Sequence, residues 1–114
     1  MDAFEMVLLL DYYGGMLTDK QRDCFDMRYN QDLSLGEIAQ ELNVSRQGVY
    51  DNLNRAEAAL RNMEEKLGCV RRTMQTRQVV SAILDAAQVL RHRDDPELSD
   101  LYGTILSAVK KLEE

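Results

Sequence analysis

In this 114-residue chain, Cys24, Cys69 and His92, the single histidine, are the side chains best suited to covalent or metal chemistry. Their spacing does not make a site. The cysteines lie far apart in sequence, and zinc would need both of them, His92 and a carboxylate together. Two unrelated thiols in such a chain read as small buried hydrophobes. His92 stands between Arg91 and Arg93, where a lone imidazole is a surface group. Gly14-Gly15 lacks the Gly-Lys-Ser/Thr ending of a phosphate loop. The residue types therefore argue against an enzyme, a metal site and a bound cofactor.

The chemistry that remains is recognition. Lys20, Arg22, Arg46, Arg71, Arg72 and Arg77 are the cations that could meet phosphates, with Lys20, Arg22 and Arg46 expected to lie together. Ser45, Arg46, Gln47, Tyr50 and Asn54 fall in one string that could reach base edges. Tyr12, Tyr13 and Tyr50 are candidate stacking surfaces for an RNA base.

These residues need elements to hold them. One Pro and 6 Gly leave few turns, and helix-forming residues are abundant, so an all-α fold is expected. Residues 4–13 are apolar nearly all round, which predicts a helix buried on more than one side and stopped by Gly14-Gly15. Thr18 with Gln21 makes a capping box that opens a second helix to about residue 29, with Cys24, Phe25, the Arg28 stem and Tyr29 at helical spacing. Ser34 with Glu37 makes another capping box. Leu35, Ile38, Ala39 and Leu42 give that third helix its buried face, and Asn43 tolerates the left-handed conformation that ends it.

Ser45 caps a long fourth helix. Its Val49, Leu53, Ala56, Leu60, Met63 and Leu67 recur at alternating steps of four and three, a heptad seam ended by Gly68. A fifth helix is expected over 72–91, with Val80, Ile83, Leu84, Ala87 and Leu90. Asp94-Asp95-Pro96 stops it, and a sixth runs over 96–113 with Leu98, Tyr102, Ile105, Val109 and Leu112 on one face. The expected organisation is a helix-turn-helix core over 1–68 and a C-terminal helical hairpin over 69–114, packed in the same domain or in a dimer.

Residues 34–55 carry the most information. Two short helices crossing steeply need a small residue at the contact, supplied by Ala39, and a turn residue that accepts positive φ, supplied by Asn43. Ile38, Leu42, Val44 and Val49 fill the wedge between them. Arg46, Gln47, Tyr50 and Asp51 then face outward, where a major groove would lie. Generic modules of this kind carry an apolar residue where this chain has Asn52, with Leu53 following, so a slightly rotated second helix is expected.

Leu17-Thr18-Asp19-Lys20-Gln21-Arg22, Leu33-Ser34-Leu35-Gly36-Glu37-Ile38-Ala39 and Val44-Ser45-Arg46-Gln47-Gly48-Val49-Tyr50-Asp51-Asn52 closely resemble the YlxM family over about residues 8–67. Its members are small bacterial helix-turn-helix proteins related to region 4 of sigma-70 factors. The resemblance implies a sigma-70 region 4-like fold and a regulatory or accessory role in the signal recognition particle pathway, with the particle's RNA, its GTPase or both as partners.

Charge complicates a duplex-DNA reading. The formal net charge is -6. Residues 1–67 hold 7 Lys+Arg against 13 Asp+Glu, and residues 68–114 hold 7 of each. A strong duplex binder makes roughly 6 to 10 phosphate contacts through cations. Three readings therefore stay open: a pathway accessory protein, a helix-turn-helix transcription regulator acting on DNA, and a purely protein-binding helical module. No apolar run reaches the roughly 20 residues of a membrane span. The start Met1-Asp2-Ala3-Phe4-Glu5 has acids and no basic residue ahead of the apolar run, which argues against export and for the cytoplasm. The apolar first helix, the seam and the two C-terminal helices offer more nonpolar face than one small core needs, so a homodimer is expected, joined through helix one and the C-terminal helices.

Overall fold

The computed structural model describes residues 3–113; Met1, Asp2 and Glu114 lie outside it, including the first two residues of the argument against export. The described residues form six α-helices and no strands: α1 (Ala3–Tyr13), α2 (Asp19–Tyr29), α3 (Leu35–Leu42), α4 (Arg46–Leu67), α5 (Cys69–Arg91) and α6 (Pro96–Lys110). Single 3-10 turns follow α1 at Gly14–Met16 and α6 at Lys111–Glu113. The chain divides into two compact units, Met1–Val70 and Arg71–Glu114.

Local chemistry sets the helix ends of the first unit. Thr18 Oγ1 accepts from the Gln21 N–H at 3.2 Å, and Gln21 Oε1 accepts from the Thr18 N–H at 3.1 Å. Ser34 and Glu37 repeat the exchange, each bond at 3.1 Å. Both capping boxes satisfy backbone donors that the first turn leaves without helical partners. The Glu37 carboxyl is held below its usual range by hydrogen bonds from Ser34. Asn43 ends α3 in the left-handed region at φ 54, ψ 49, and Gly68 ends α4 at φ 67. Ser45 Oγ accepts from the Gly48 N–H at 3.0 Å and starts α4. α5 begins at Cys69, three residues before the sequence expectation, because Glu64 and Tyr13 supply caps that spacing does not reveal.

Packing in this unit centres on α4, against which α1, α2 and α3 all lie. Cys24, Ile38, Ala39 and Val49 form a buried cluster, with Met27, Leu33, Leu35, Leu42, Val44 and Leu53 packed around it. Phe25, Leu9 and Leu60 are also fully buried. Ala39 meets α4 where a larger side chain would hold the two helices apart. Burial pushes the Cys24 thiol up from its usual range, the behaviour of a core thiol and not a nucleophile. Asn52 is half-buried, and its Nδ2 donates to the Gly48 carbonyl at 3.0 Å. The polar residue is thus satisfied by its own helix, while Val49 and Leu53 make the contact with α3.

The heptad seam is used only in part. Val49, Ala56 and Leu60 are buried and Leu53 and Met63 half-buried, but Leu67 is 49% exposed. In the second unit Asp95 Oδ1 accepts from the Glu97 N–H at 2.9 Å and Pro96 takes the first helical position, so α6 starts as its sequence suggests. Arg91 at the end of α5 lies 6.0 Å from the Tyr102 ring of α6. Val80, Ala87 and Val109 are buried, whereas Val79, Val89, Leu101 and Leu112 are about half-exposed or more.

Candidate nucleic-acid interface

The outer face of the helix-turn-helix is built from the first three turns of α4. Arg46, Gln47, Tyr50, Asp51 and Asn54 are all exposed on it, and Ser45 caps it. The regular recurrence of Val49, Leu53 and Ala56 toward the core dictates this presentation. Residues between those positions must point away from it. No acid lies in the first turn of α4, unlike α2 with Asp19 and α3 with Glu37. That leaves the positive end of this helix dipole without a local counter-charge.

Two of the candidate side chains are already engaged. Gln47 Nε2 donates to Asp51 Oδ1 at 3.0 Å, so the amide and the acid one turn on occupy each other. The Arg46 guanidinium lies over Gly36 of α3, where a Cβ would stand 2.9 Å from Arg46 Nη2. Glycine at position 36 makes that seat. Sequence reading missed the role; a glycine in the first turn of a helix was the available signal.

The remaining cations make their contacts on several elements. Arg22 pairs with Asp19 at 2.9 Å, and its stem runs beside Gly14. Arg46 rests on α3. Lys20 is exposed on α2. Arg71, Arg72 and Arg77 belong to the second unit, exposed along α5.

The tyrosines separate sharply. Tyr50 and Tyr12 are 51% and 49% exposed, and either could stack on a base. Tyr13 is 4% exposed and is not available to a ligand. Its hydroxyl donates to Glu64 Oε1 at 2.7 Å and accepts from the Cys69 N–H at 3.1 Å, while Glu64 Oε1 also accepts from the Val70 N–H at 2.9 Å. Burial and the neighbouring carboxylate push the Tyr13 phenol well above its usual range. Tyr13 is therefore a structural clasp at the α4–α5 junction. Among the described residues no group of three or more His, Cys, Asp or Glu is placed to hold a metal ion, and no helix is long and apolar enough to cross a membrane.

A small all-helical protein whose second helix-turn-helix element carries an exposed polar face is a helix-turn-helix protein by fold and by site. Over residues 2–101 the chain matches the family described as "Putative helix-turn-helix protein, YlxM / p13 like", and it belongs to that family. It is 45% identical over 112 residues to a UPF0122 protein of Thermoanaerobacter sp. (strain X514), covering 97% of this chain and 96% of that one. A UPF0122 protein of Acetivibrio thermocellus is 41% identical over 112 residues, covering 98% and 91%. One from Geobacillus kaustophilus is 45% identical over 99 residues, covering 87% and 89%.

Proposed function

We propose that this chain is a non-enzymatic, cytoplasmic accessory protein of the signal recognition particle pathway, acting by binding nucleic acid, the particle's GTPase or both. The observation that carries the reading is the exposed face of α4. It combines a capped, acid-free helix start with Arg46, Gln47, Tyr50 and Asn54. Backbone N–H groups and a guanidinium at a helix start suit a phosphate, and Tyr50 suits an unstacked base. The pathway rests on the likeness of the three motifs to the YlxM family and on membership of that family. Lys20, Arg22, Arg71, Arg72 and Arg77 are the supporting cations in this reading, no cofactor is used, and the working species is a homodimer.

A second reading, a helical module that binds only protein, is favoured by the Gln47–Asp51 bond and by the acidic first 67 residues. Both reduce what α4 offers to a duplex. The discriminating experiment compares the particle's RNA, its GTPase and random duplex DNA as partners, each at two salt concentrations. Binding to the particle's RNA, with or without its GTPase, supports the pathway reading. Tight, salt-steep DNA binding lost in Arg46→Ala overturns it in favour of a transcription regulator. Binding to the GTPase alone, without a salt-sensitive nucleic-acid signal, selects the protein module. Sedimentation at micromolar concentration tests the dimer, and a monomer there refutes it.

A further inference from the structure

α6 carries its charges at its two ends. Glu97 and Asp100 lie in its first two turns, Lys110 and Lys111 close it, and residues 101–109 hold no charge. All four are exposed, and among the described residues none of them makes an ion pair. Asp100, Thr104, Ala108 and Lys111 recur at steps of four, four and three, so they share one face of the helix. That face is a shallow open groove, lined also by Gly103 and Ser107. Leu101 and Leu112, 49% and 60% exposed, flank it. We propose that this face pairs with the same face of a second copy of the chain, the two α6 helices running antiparallel about a two-fold axis near Thr104 and Ile105. The inference deepens the homodimer of the proposed function and rests on it.

Charge order selects both the occupant and its direction. An antiparallel copy lays its Lys110 and Lys111 beside Glu97 and Asp100, and its acids beside Lys110 and Lys111. A parallel copy would set acid against acid and cation against cation. A nucleic acid laid along the face would bring phosphates against Glu97 and Asp100. In an isologous contact each favourable pair is made twice, so the complementarity of one helix end is repeated at the other.

Shape agrees with this pairing. With the axis near Thr104 and Ile105, Leu101 of one copy comes beside Ala108 of the other, a large side chain against a small one. Gly103 stands in the middle of α6, where glycine costs helix stability. A Cβ added there would meet nothing within 4 Å, so no neighbour in the chain itself requires the glycine. A helix laid on the face gives it a use, because Gly103 and Ser107 let the two backbones approach closely.

The test is sedimentation equilibrium of the full chain, parent and variants, with thermal melts to confirm folding. The parent should dimerise at micromolar concentration. Lys110→Glu with Lys111→Glu makes both ends of α6 acidic, and Glu97→Lys with Asp100→Lys makes both basic. Each double variant should raise the dimer dissociation constant about tenfold or more. Mixed in equal amounts, the two should form a heterodimer at least as tight as the parent dimer. Thr104→Cys, near the axis, should oxidise to a disulfide-linked dimer. Leu112→Cys, which lies opposite Glu97 of the other copy, should cross-link no more than the parent, whose Cys24 and Cys69 set the background.

A parent that stays monomeric refutes the dimer and this face together. A parent dimer that both charge variants leave equally tight refutes the face and keeps the dimer. Loss of the dimer in both variants without recovery on mixing shows that the substitutions act by another route, and overturns the proposal. Leu112→Cys cross-linking as readily as Thr104→Cys is the mark of parallel pairing and overturns it as well.

Discussion

At the scale of single residues, three positions bear weight that their types alone only partly announce. Asn43 sits in the left-handed region, where a Cβ costs roughly 1–2 kcal/mol unless the side chain can bond locally. Asn43→Val should therefore lower unfolding free energy by about 1–2 kcal/mol, with Asn43→Gly close to the parent, as urea denaturation will read. Gly36 is different, since an added Cβ meets only the far end of Arg46. Gly36→Ala should fold with stability unchanged or raised by up to about 1 kcal/mol, while Arg46 swings off α3. A change in nucleic-acid affinity without a change in stability would identify Arg46 as a phosphate contact. Tyr13 is a third case. Its phenol is raised above the ordinary value of 10.0, so its contribution is complete below about pH 10 and is lost as pH rises toward the folded value. Tyr13→Phe should cost about 1–2 kcal/mol at neutral pH and flatten the alkaline fall in stability, measured by denaturation across pH 8 to 11.

At the scale of elements, α4 is the organiser, and its two ends behave differently. Leu60 is fully buried, while Leu67 on the same seam is half-exposed. Leu60→Ala should cost about 2–5 kcal/mol and Leu67→Ala less than about 0.5 kcal/mol. Equal losses would mean that the seam is covered along its whole length, as a partner helix would do. The helix ends were legible because capping is local: Thr18 with Gln21, Ser34 with Glu37, and Ser45 act within one turn of their own positions. The early start of α5 was not legible. Its caps come from Tyr13 and Glu64, and Tyr13 lies 56 residues from the Cys69 N–H it accepts from.

At the scale of the whole molecule, charge governs what the chain can hold. Acids outnumber cations in residues 1–67, so duplex DNA affinity should be weak and should fall little in absolute terms between low and physiological salt. A filter-binding titration at two salt concentrations checks this. Strong binding with a steep slope would mean that the cations of both units act on one duplex. The exposed Val79, Val89, Leu101 and Leu112 of the second unit are where a homodimer would gain most from burial.

By itself the sequence determined the six helices, the caps that open α2, α3 and α4, the wedge of Ile38, Ala39 and Val49 and the family, because periodicity, cap chemistry and turn conformation act over a few residues. Only the tertiary structure decided which candidate side chains stay available. It buried Tyr13, seated Arg46 on Gly36 and tied Gln47 to Asp51. Those outcomes depend on which helix faces meet. Spacing along one helix carries no information about the residue that a distant helix will lay against it.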